Sequence, residues 1–203
     1  PSKSLAKYYF THLKTNKPYS VKSLGLEKMK LIKKQEKTEK LKCIYIGGAN
    51  LQKGWDVIEE VFDKLLKDYQ NKIELRIYGH KKKTEWSRLS KYSSVKFFES
   101  FDPNQIAEVF SWADLGLAPT YFEGYSRTVR EYMIYGAVPI STEAFVISDV
   151  IIPNENGIII KKPYAQSLYA ALRKILKEPK FLEDMKVKAK NTPITSEDEE
   201  FDK

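Results

Sequence analysis

From residue 42 onward, short apolar segments that end at glycine or proline alternate with longer segments of helical periodicity. The apolar segments are KCIYIGG, KIELRIYG, VKFFES, DLGLAP, AVPIS and GIIIKK, and the longer ones include WDVIEEVFDKLLKDY, NQIAEVFSWA, SRTVREYMIYG and YAQSLYAALRKILKE. Strands that alternate with helices of roughly ten to fifteen residues are typical of parallel β-α-β units. The sequence therefore predicts an α/β fold, a doubly wound Rossmann-like parallel sheet with helices on both faces. Further helices are predicted over residues 84–92 and about 180–190.

Three regions differ in composition. We interpret residues 1–41 as the tail of a preceding domain and a lysine-rich linker, residues 42–190 as the Rossmann-like domain, and residues 191–203 as a polar C-terminal tail. The net charge of +8 favours anionic partners such as nucleotides, phosphates, nucleic acid or an acidic membrane surface. The single cysteine, Cys43, and the absence of an apolar run near the ~20 residues of a membrane span suit a cytoplasmic protein, in peripheral contact with a membrane at most.

The segment GGANLQKG, residues 47–54, joins the first strand to a helix. Gly47 and Gly48 allow the main chain to approach a ligand, and Lys53 adds a positive charge where a helix start exposes free amides. The segment is neither a Walker A loop nor a G-x-G-x-x-G fingerprint. A phosphate cradle and a tight turn with a surface lysine therefore both remain open.

A second loop carries two glutamates eight positions apart, in TYFEGYSRTVREYM. Glu123 follows the strand DLGLAP, and a helix is predicted to begin near Ser126, a residue type that caps helices. The free amides of Arg127 and Thr128 would then face an anion, with Glu131 one turn further on. A carboxylate accepts two hydrogen bonds, which suits a vicinal diol such as ribose. The loop therefore predicts a diphosphate held between a sugar and a ribose.

Together these segments resemble the C-terminal, donor-binding domain of family 4 glycosyltransferases, over about residues 42–177. The matching pieces are IGGANLQKG, ELRIYG, VKFFES, ADLGLAPTYFEGYSRTVREYMIYGAVPIST and ENGIII. The resemblance implies one half of a GT-B fold. It also implies hexosyl transfer with retention of configuration, from a nucleotide-diphosphate sugar such as a UDP- or GDP-sugar to a glycan or lipid-linked acceptor, as in polysaccharide biosynthesis. The family usually needs no metal, so we expect no cofactor.

The resemblance also implies roles for single residues. Glu123 would be the catalytic residue at the hydroxyls of the transferred sugar, Lys53 would contact the diphosphate, and Glu131 would contact the ribose. Main chain near Phe98 and Glu99 would meet the base. The full set of predicted donor-binding residues is Gly47, Gly48, Lys53, Phe98, Glu99, Ser126, Arg127, Thr128 and Glu131.

Several positions depart from the family pattern. Gly48 stands where the family usually has an arginine; Arg127 either replaces it or is solvated. Ser126 stands where glycine is common, and the loop after ELRIYG reads HKKK, where His80 either meets a base or is exposed. The chain is long enough for only one of the two GT-B domains. We expect the acceptor-binding domain in a longer chain, joined through the segment VKSLGLEK, or in a separate subunit.

Two alternatives remain. A sugar-nucleotide epimerase or phosphorylase has the same architecture, and product analysis would distinguish it. A non-catalytic nucleic-acid-binding module would suit the charge of +8, but the lysines scatter over helices and linker instead of clustering on one sheet face. We therefore expect no nucleic acid among the partners.

Overall fold

A computed structural model describes residues 39–79, 87–143, 147–162, 164–192 and 194. Six parallel strands form one sheet in the order β3-β2-β1-β4-β5-β6 within this part of the chain. The strands are β1 Leu41–Ile46, β2 Ile73–Tyr78, β3 Val95–Phe98, β4 Leu115–Ala118, β5 Val138–Thr142 and β6 Ile158–Ile160. The predicted doubly wound sheet is confirmed.

Five α-helices accompany the strands in the described residues: α1 Trp55–Tyr69, α2 Ile106–Ser111, α3 Arg127–Ile134, α4 Tyr164–Lys177 and α5 Pro179–Lys190. Side chains of α1, α4 and α5 share one core cluster with one face of the sheet. Side chains of α2 and α3 share a second cluster with the other face. Alternate residues of β1 enter the two cores, Cys43 and Tyr45 on one side and Ile44 on the other. Burial on both faces explains why residues 43–46 of β1 form an unbroken apolar run.

Asp102 caps the start of the crossover between β3 and α2. The Asp102 side chain accepts a hydrogen bond from the amide of Asn104 at 2.8 Å, and the amide of Asp102 donates to the side chain of Gln105 at 3.0 Å. This reciprocal capping box opens a 3-10 turn, Pro103–Gln105, that leads into α2. The crossover thereby reaches the second face of the sheet.

The helix predicted over residues 84–92 differs from the structure, whose described part of this segment, residues 87–92, forms turns. Glu59 of α1 accepts hydrogen bonds from the hydroxyl of Ser87 at 2.8 Å and from the amide of Arg88 at 2.9 Å. Leu89 and Tyr92 pack into the core beside α1. Side-chain bonds and packing against α1 therefore replace the helical ladder that the polar pattern suggested. Most of the predicted linker, residues 1–38, and of the tail lies outside the described residues.

Asp114 ties the amino ends of the central strands to α5. Its carboxylate accepts a hydrogen bond from the amide of Lys42 at 3.0 Å and lies 2.8 Å from the ammonium of Lys186. Main-chain bonds link Asp114 to Lys42 and to Val138 as well. Because both partners of the ion pair are largely buried, removing either one would leave a desolvated charge. The pair therefore makes α5 an integral part of the domain.

A close approach at Gly116 sets the depth of α3 on the sheet. A Cβ atom at Gly116 would lie 2.1 Å from Cγ of Tyr132, whose ring covers β4. Only a residue without a side chain permits this contact. The start of α3 is therefore held close to the carboxyl end of β4.

Replacing Gly116 with Ala is expected to destabilise the protein by about 1–3 kcal/mol, because the ring of Tyr132 has to move away from β4. Gly124→Ala is the matched control, since a Cβ atom there would meet nothing within 4 Å. Its free energy of unfolding should stay within about 0.5 kcal/mol of the wild type. Urea unfolding measures both variants, and equal effects would contradict this account of the helix contact.

Candidate functional site

The loops that follow β1 and β4 lie side by side at the centre of the sheet. The strand order reverses between these two strands, because the chain moves outward to β2 after β1 and to β5 after β4. In open parallel sheets, ligands bind beyond the carboxyl ends of the strands at such a switch point. The two loops, residues 47–54 and 119–126, are the ones in which the sequence predicted donor contacts.

The glycines of the first loop serve close packing of the main chain. Gly48 has φ +59, and a Cβ atom there would lie 2.2 Å from the carbonyl oxygen of Gly79. The amides of Gly47 and Gly48 donate to the carbonyl oxygen of Tyr78 at 3.2 and 2.9 Å. The predicted phosphate contact of these glycines therefore cannot use their two N–H groups while the bonds persist.

Hydrogen bonds to one carbonyl join the first loop to the loop after β4. The carbonyl oxygen of Gln52 accepts the hydroxyl of Thr120 and the amide of Tyr121, each at 3.0 Å. Gly54, with φ +78, lies so close to Pro119 that a Cβ atom would be 2.0 Å from the Pro119 oxygen. No local pattern in the sequence indicates this role of Thr120, because its partner is 68 residues away in the chain.

This contact between the loops places Lys53 beside Glu123. The ammonium of Lys53 lies 2.9 Å from a carboxylate oxygen of Glu123, although the residues are 70 positions apart. Glu123 also accepts the amide of Gly124 at 3.2 Å and the amide of Ser126. Burial raises the pKa of Glu123, but the Lys53 ammonium and these amides offset burial and leave the pKa lowered. Glu123 is therefore an ionised carboxylate at neutral pH.

Ser126 stands at the N-cap position of α3, as predicted, but does not cap the helix with its side chain. Its backbone is left-handed, with φ 58° and ψ 55°, and no cap bond forms. Capping serines normally have an extended backbone and accept a bond from the first turn. Arg127 and Thr128 therefore begin a helix whose first amides lack a side-chain cap.

Glu131 is a largely buried carboxylate one turn into α3. The Nε atom of Arg127 lies 3.0 Å from its Oε1 atom, while the exposed fractions of the two side chains are 61% and 11%. Burial raises the pKa of Glu131, and the Arg127 guanidinium only partly opposes this. Arg127, expected either to contact a phosphate or to be solvated, is paired with Glu131 and largely exposed.

The remaining predicted residues lie further along the same edge. Phe98 stacks on Tyr78 with ring centroids 4.6 Å apart, and Glu99 is exposed after β3. His80 lies outside the described residues. In the second loop, Tyr125 is buried under Arg130, whereas Tyr121 is half exposed and donates to Asp56 at 2.6 Å.

The comparisons with known proteins agree with this fold. The family described as Glycosyl transferases group 1 matches residues 27–192. The chain belongs to this glycosyltransferase family. Comparison with curated protein sequences gave no match.

Three solved structures show the same fold. The C-terminal domain of LpcC, a glycosyl transferase group 1 family protein from Francisella tularensis, is 20% identical with a TM-score of 0.62, and the match covers 73% of this chain and 82% of that one. The lipopolysaccharide-biosynthesis glycosyltransferase WaaG is 23% identical with a TM-score of 0.64, over 76% and 42%. TarM from S. aureus is 16% identical with a TM-score of 0.74, over 91% and 38%. The glycosyltransferase domain thus spans about two fifths of the WaaG and TarM chains.

The described residues contain neither a candidate membrane span nor a candidate metal-binding group. None of the helices there combines the length and the apolar character that crossing a bilayer requires. Three or more His, Cys, Asp or Glu side chains do not come together there as a metal-binding group.

Glu131→Gln is expected to be more stable than the wild type at neutral pH. The pKa of the Glu131 carboxyl is raised in the folded protein above the ordinary value of 4.5 that applies to the unfolded chain. Ionisation therefore lowers the stability of the wild type as the pH rises from the unfolded pKa through the folded pKa. Glutamine cannot ionise, and its advantage should vanish below about pH 4. Urea unfolding across this range measures the difference.

Glu123→Gln is the matched control of opposite sign. The pKa of Glu123 is lowered in the folded protein, so its ionised form contributes stability. This contribution is fully present above pH 4.5, the ordinary pKa of the unfolded carboxyl, and is lost as the pH falls through the folded pKa. This variant should therefore be less stable than the wild type at neutral pH. A loss of stability at neutral pH in both variants would contradict the opposite pKa shifts.

Proposed function

We propose that this domain binds a nucleotide-diphosphate sugar and presents it for retaining glycosyl transfer to a glycan or lipid-linked acceptor. The observation that carries the proposal is the convergence of Lys53, Glu123 and the uncapped start of α3 at the switch point of the sheet. These groups come from two loops that the fold alone brings together. They match the chemistry of a donor with a diphosphate between two hydroxylated groups.

The positive and the negative groups of the site would contact different parts of such a donor. The ammonium of Lys53 and the free amides of Arg127 and Thr128 offer positive charge to the diphosphate. Glu123, held ionised, can accept hydrogen bonds from the sugar hydroxyls, and Glu131 from the ribose. Arg127 can exchange its pair with Glu131 for a phosphate oxygen, in place of the arginine that Gly48 replaces.

The burial of Glu131 supports a role in binding. Its raised pKa means that the charged form is less favourable in the folded protein than in the unfolded chain. Stability therefore does not account for an ionisable group at this position. A perturbed carboxylate beside a switch-point loop is characteristic of a functional site.

The reaction follows from these roles. The oxygen of an acceptor hydroxyl forms a bond to the anomeric carbon while the bond from that carbon to the diphosphate oxygen breaks, and the hydroxyl proton passes to the departing diphosphate. Lys53 and the amides of α3 neutralise the charge that develops on the leaving diphosphate, the preorganised electrostatic help that dominates many enzymes. We propose that they do so without a metal ion.

The solved relatives support the choice of ligand and the need for a second domain. The TarM structure is a complex with UDP, and WaaG is described as acting in lipopolysaccharide biosynthesis. This chain matches 38% and 42% of those proteins. We propose that the acceptor site lies on a further domain, in the same chain or a separate subunit. By itself the domain would bind a nucleoside diphosphate and transfer nothing.

Calorimetry with UDP, GDP and their sugars tests the proposal. Lys53→Met should weaken nucleoside diphosphate binding by about ten- to a hundred-fold, the value of a charge-assisted hydrogen bond. Lys91→Met is the matched control, because Lys91 also pairs with a carboxylate at 2.8 Å but precedes β3, at the opposite edge of the sheet. No binding by the wild type at about millimolar ligand, or equal loss in both variants, would refute the proposal.

Glu123→Gln should distinguish the contribution of the sugar to binding from that of the diphosphate. Losing the ion pair frees Lys53, so binding of UDP or GDP should strengthen by about two- to five-fold. The same variant should lose any preference for the sugar-bearing donor over the free diphosphate. Parallel titrations of the two ligands measure this, and a preserved preference would remove Glu123 from the sugar site.

A further inference from the structure

Two cations lie over the ring of Trp112, which packs in the core between the sheet and α2. The guanidinium carbon of Arg76, in β2, lies 3.8 Å from the ring centroid, and the ammonium nitrogen of Lys42, in β1, lies 5.8 Å from it. Trp112 is 3% exposed, Lys42 is 8% exposed, and Arg76 is partly buried. We call these three residues the Trp112 cluster. Lys42 lies near the amino end of β1, whereas the candidate site follows the carboxyl end of that strand.

Neither cation of the Trp112 cluster has a carboxylate partner among the described residues. The ammonium of Lys42 forms no ion pair or hydrogen bond there, and the guanidinium of Arg76 forms no ion pair. The Nε atom of Arg76 is sealed from solvent and has no hydrogen-bond partner. Lysine and arginine are almost never buried unless they are paired, because a desolvated charge without a partner is costly. The cluster is therefore an unusual feature that calls for a counter-charge.

The carboxylates around this part of the sheet do not supply that counter-charge. Glu74, on the same face of β2, is paired with Lys96 at 3.6 Å. Asp114 is paired with Lys186 at 2.8 Å. Glu108 of α2 is exposed, and no ion pair joins it to another residue in the described ranges. The two positive charges of the Trp112 cluster therefore remain uncompensated within this part of the chain.

The Trp112 cluster offers hydrogen-bond donors and no acceptor. Ammonium, guanidinium and indole N–H groups can only donate. The unpaired side-chain atoms that are sealed from solvent in the described structure are Arg76 Nε and Ser94 Oγ. The ammonium of Lys42 and the indole N–H of Trp112 also lack a hydrogen bond there, so both retain access to solvent. A group that enters from solvent can reach these two donors, and it has to be an acceptor.

We propose that the Trp112 cluster binds the phosphate group of a small molecule. A phosphate group carries nearly two negative charges at neutral pH and has three strong acceptor oxygens. It therefore matches the two uncompensated cations better than a carboxylate, which carries one charge. The burial of Lys42 and Trp112 favours a small group over the surface of a macromolecule. This site goes beyond the proposed function, whose diphosphate lies at the carboxyl edge of the sheet.

Melting temperatures in phosphate and in chloride of equal ionic strength, at pH 7, test the inference. About 10 mM phosphate should raise the melting temperature of the wild type by about 3–5 °C, for a dissociation constant near 1 mM. Lys42→Met and Arg76→Met should each lose most of this shift, because each removes one of the two charges and keeps an unbranched side chain. Arg76→Lys keeps the charge and should retain most of the shift.

The shift in each variant is compared with that of the wild type, because phosphate also stabilises proteins by exclusion from their surface. An equal shift in the wild type, Lys42→Met and Arg76→Met would overturn the inference, even if the variants melted at lower temperatures in both buffers. Glycerol phosphate should act as inorganic phosphate does, and acetate should not. An equal shift with acetate would overturn the assignment to a phosphate group.

Lys53→Met and Lys91→Met are the matched controls. Lys53 belongs to the candidate donor site, and Lys91 is paired with Asp63 at 2.8 Å, so each variant loses a charge outside the Trp112 cluster. Both should keep the phosphate shift. If Lys53→Met loses the shift and Lys42→Met keeps it, the phosphate binds at the donor site and the inference fails.

Calorimetry with UDP separates the two proposals. Arg76→Met should bind UDP as the wild type does, because the Trp112 cluster lies apart from the loops of the candidate site. A loss of UDP binding in Arg76→Met would make the cluster part of the donor site and overturn the inference. A wild type that binds no UDP but shows the phosphate shift would refute the proposed function alone.

Discussion

The parallel pairing of β1 with β4 is the constraint on which the rest of this structure depends. The register from Cys43 beside Leu115 to Tyr45 beside Leu117 places two strands together that are far apart in the chain. Because crossover connections are right-handed, α1 and α3 cover opposite faces of the sheet, and the loops before them meet at the carboxyl edge. Lys53 and Glu123 have no other reason to be neighbours.

The two glutamates differ in environment, and the difference indicates different tasks. Glu123 has its charge compensated by Lys53 and by main-chain amides, so it is ready to accept hydrogen bonds as an anion. In the part of the chain that the structure describes, the exposed guanidinium of Arg127 opposes the burial of Glu131 only partly. Carboxylates whose pKa values are moved in opposite directions within one site usually have distinct roles.

Much of the fold could be predicted from the sequence, because alternation of apolar strands and amphipathic helices is a local property. The boundaries of β4, α3 and β5 follow from Pro119, Ser126 and Gly136 and agree with the structure. The contact of Lys53 with Glu123 could be expected only through the resemblance, since no spacing encodes a bond across 70 residues. The left-handed backbone of Ser126 also gave no signal, because serine is common at ordinary helix caps. The turns after Ser87 were missed because Glu59, which holds them, lies in another element.

The carbonyl of Gln52, with its bonds to Thr120 and Tyr121, has a consequence for how such proteins diverge. The carboxyl end of β5 is attached in a similar way, through the hydroxyl of Thr142 and the carbonyl of Thr120. Carbonyl acceptors persist whatever residue type occupies a position. Descendants of one ancestor can therefore exchange the exposed side chains of Leu51 or Phe122 and retain the framework that presents them. New substrate preferences then become accessible through single substitutions, without a new fold.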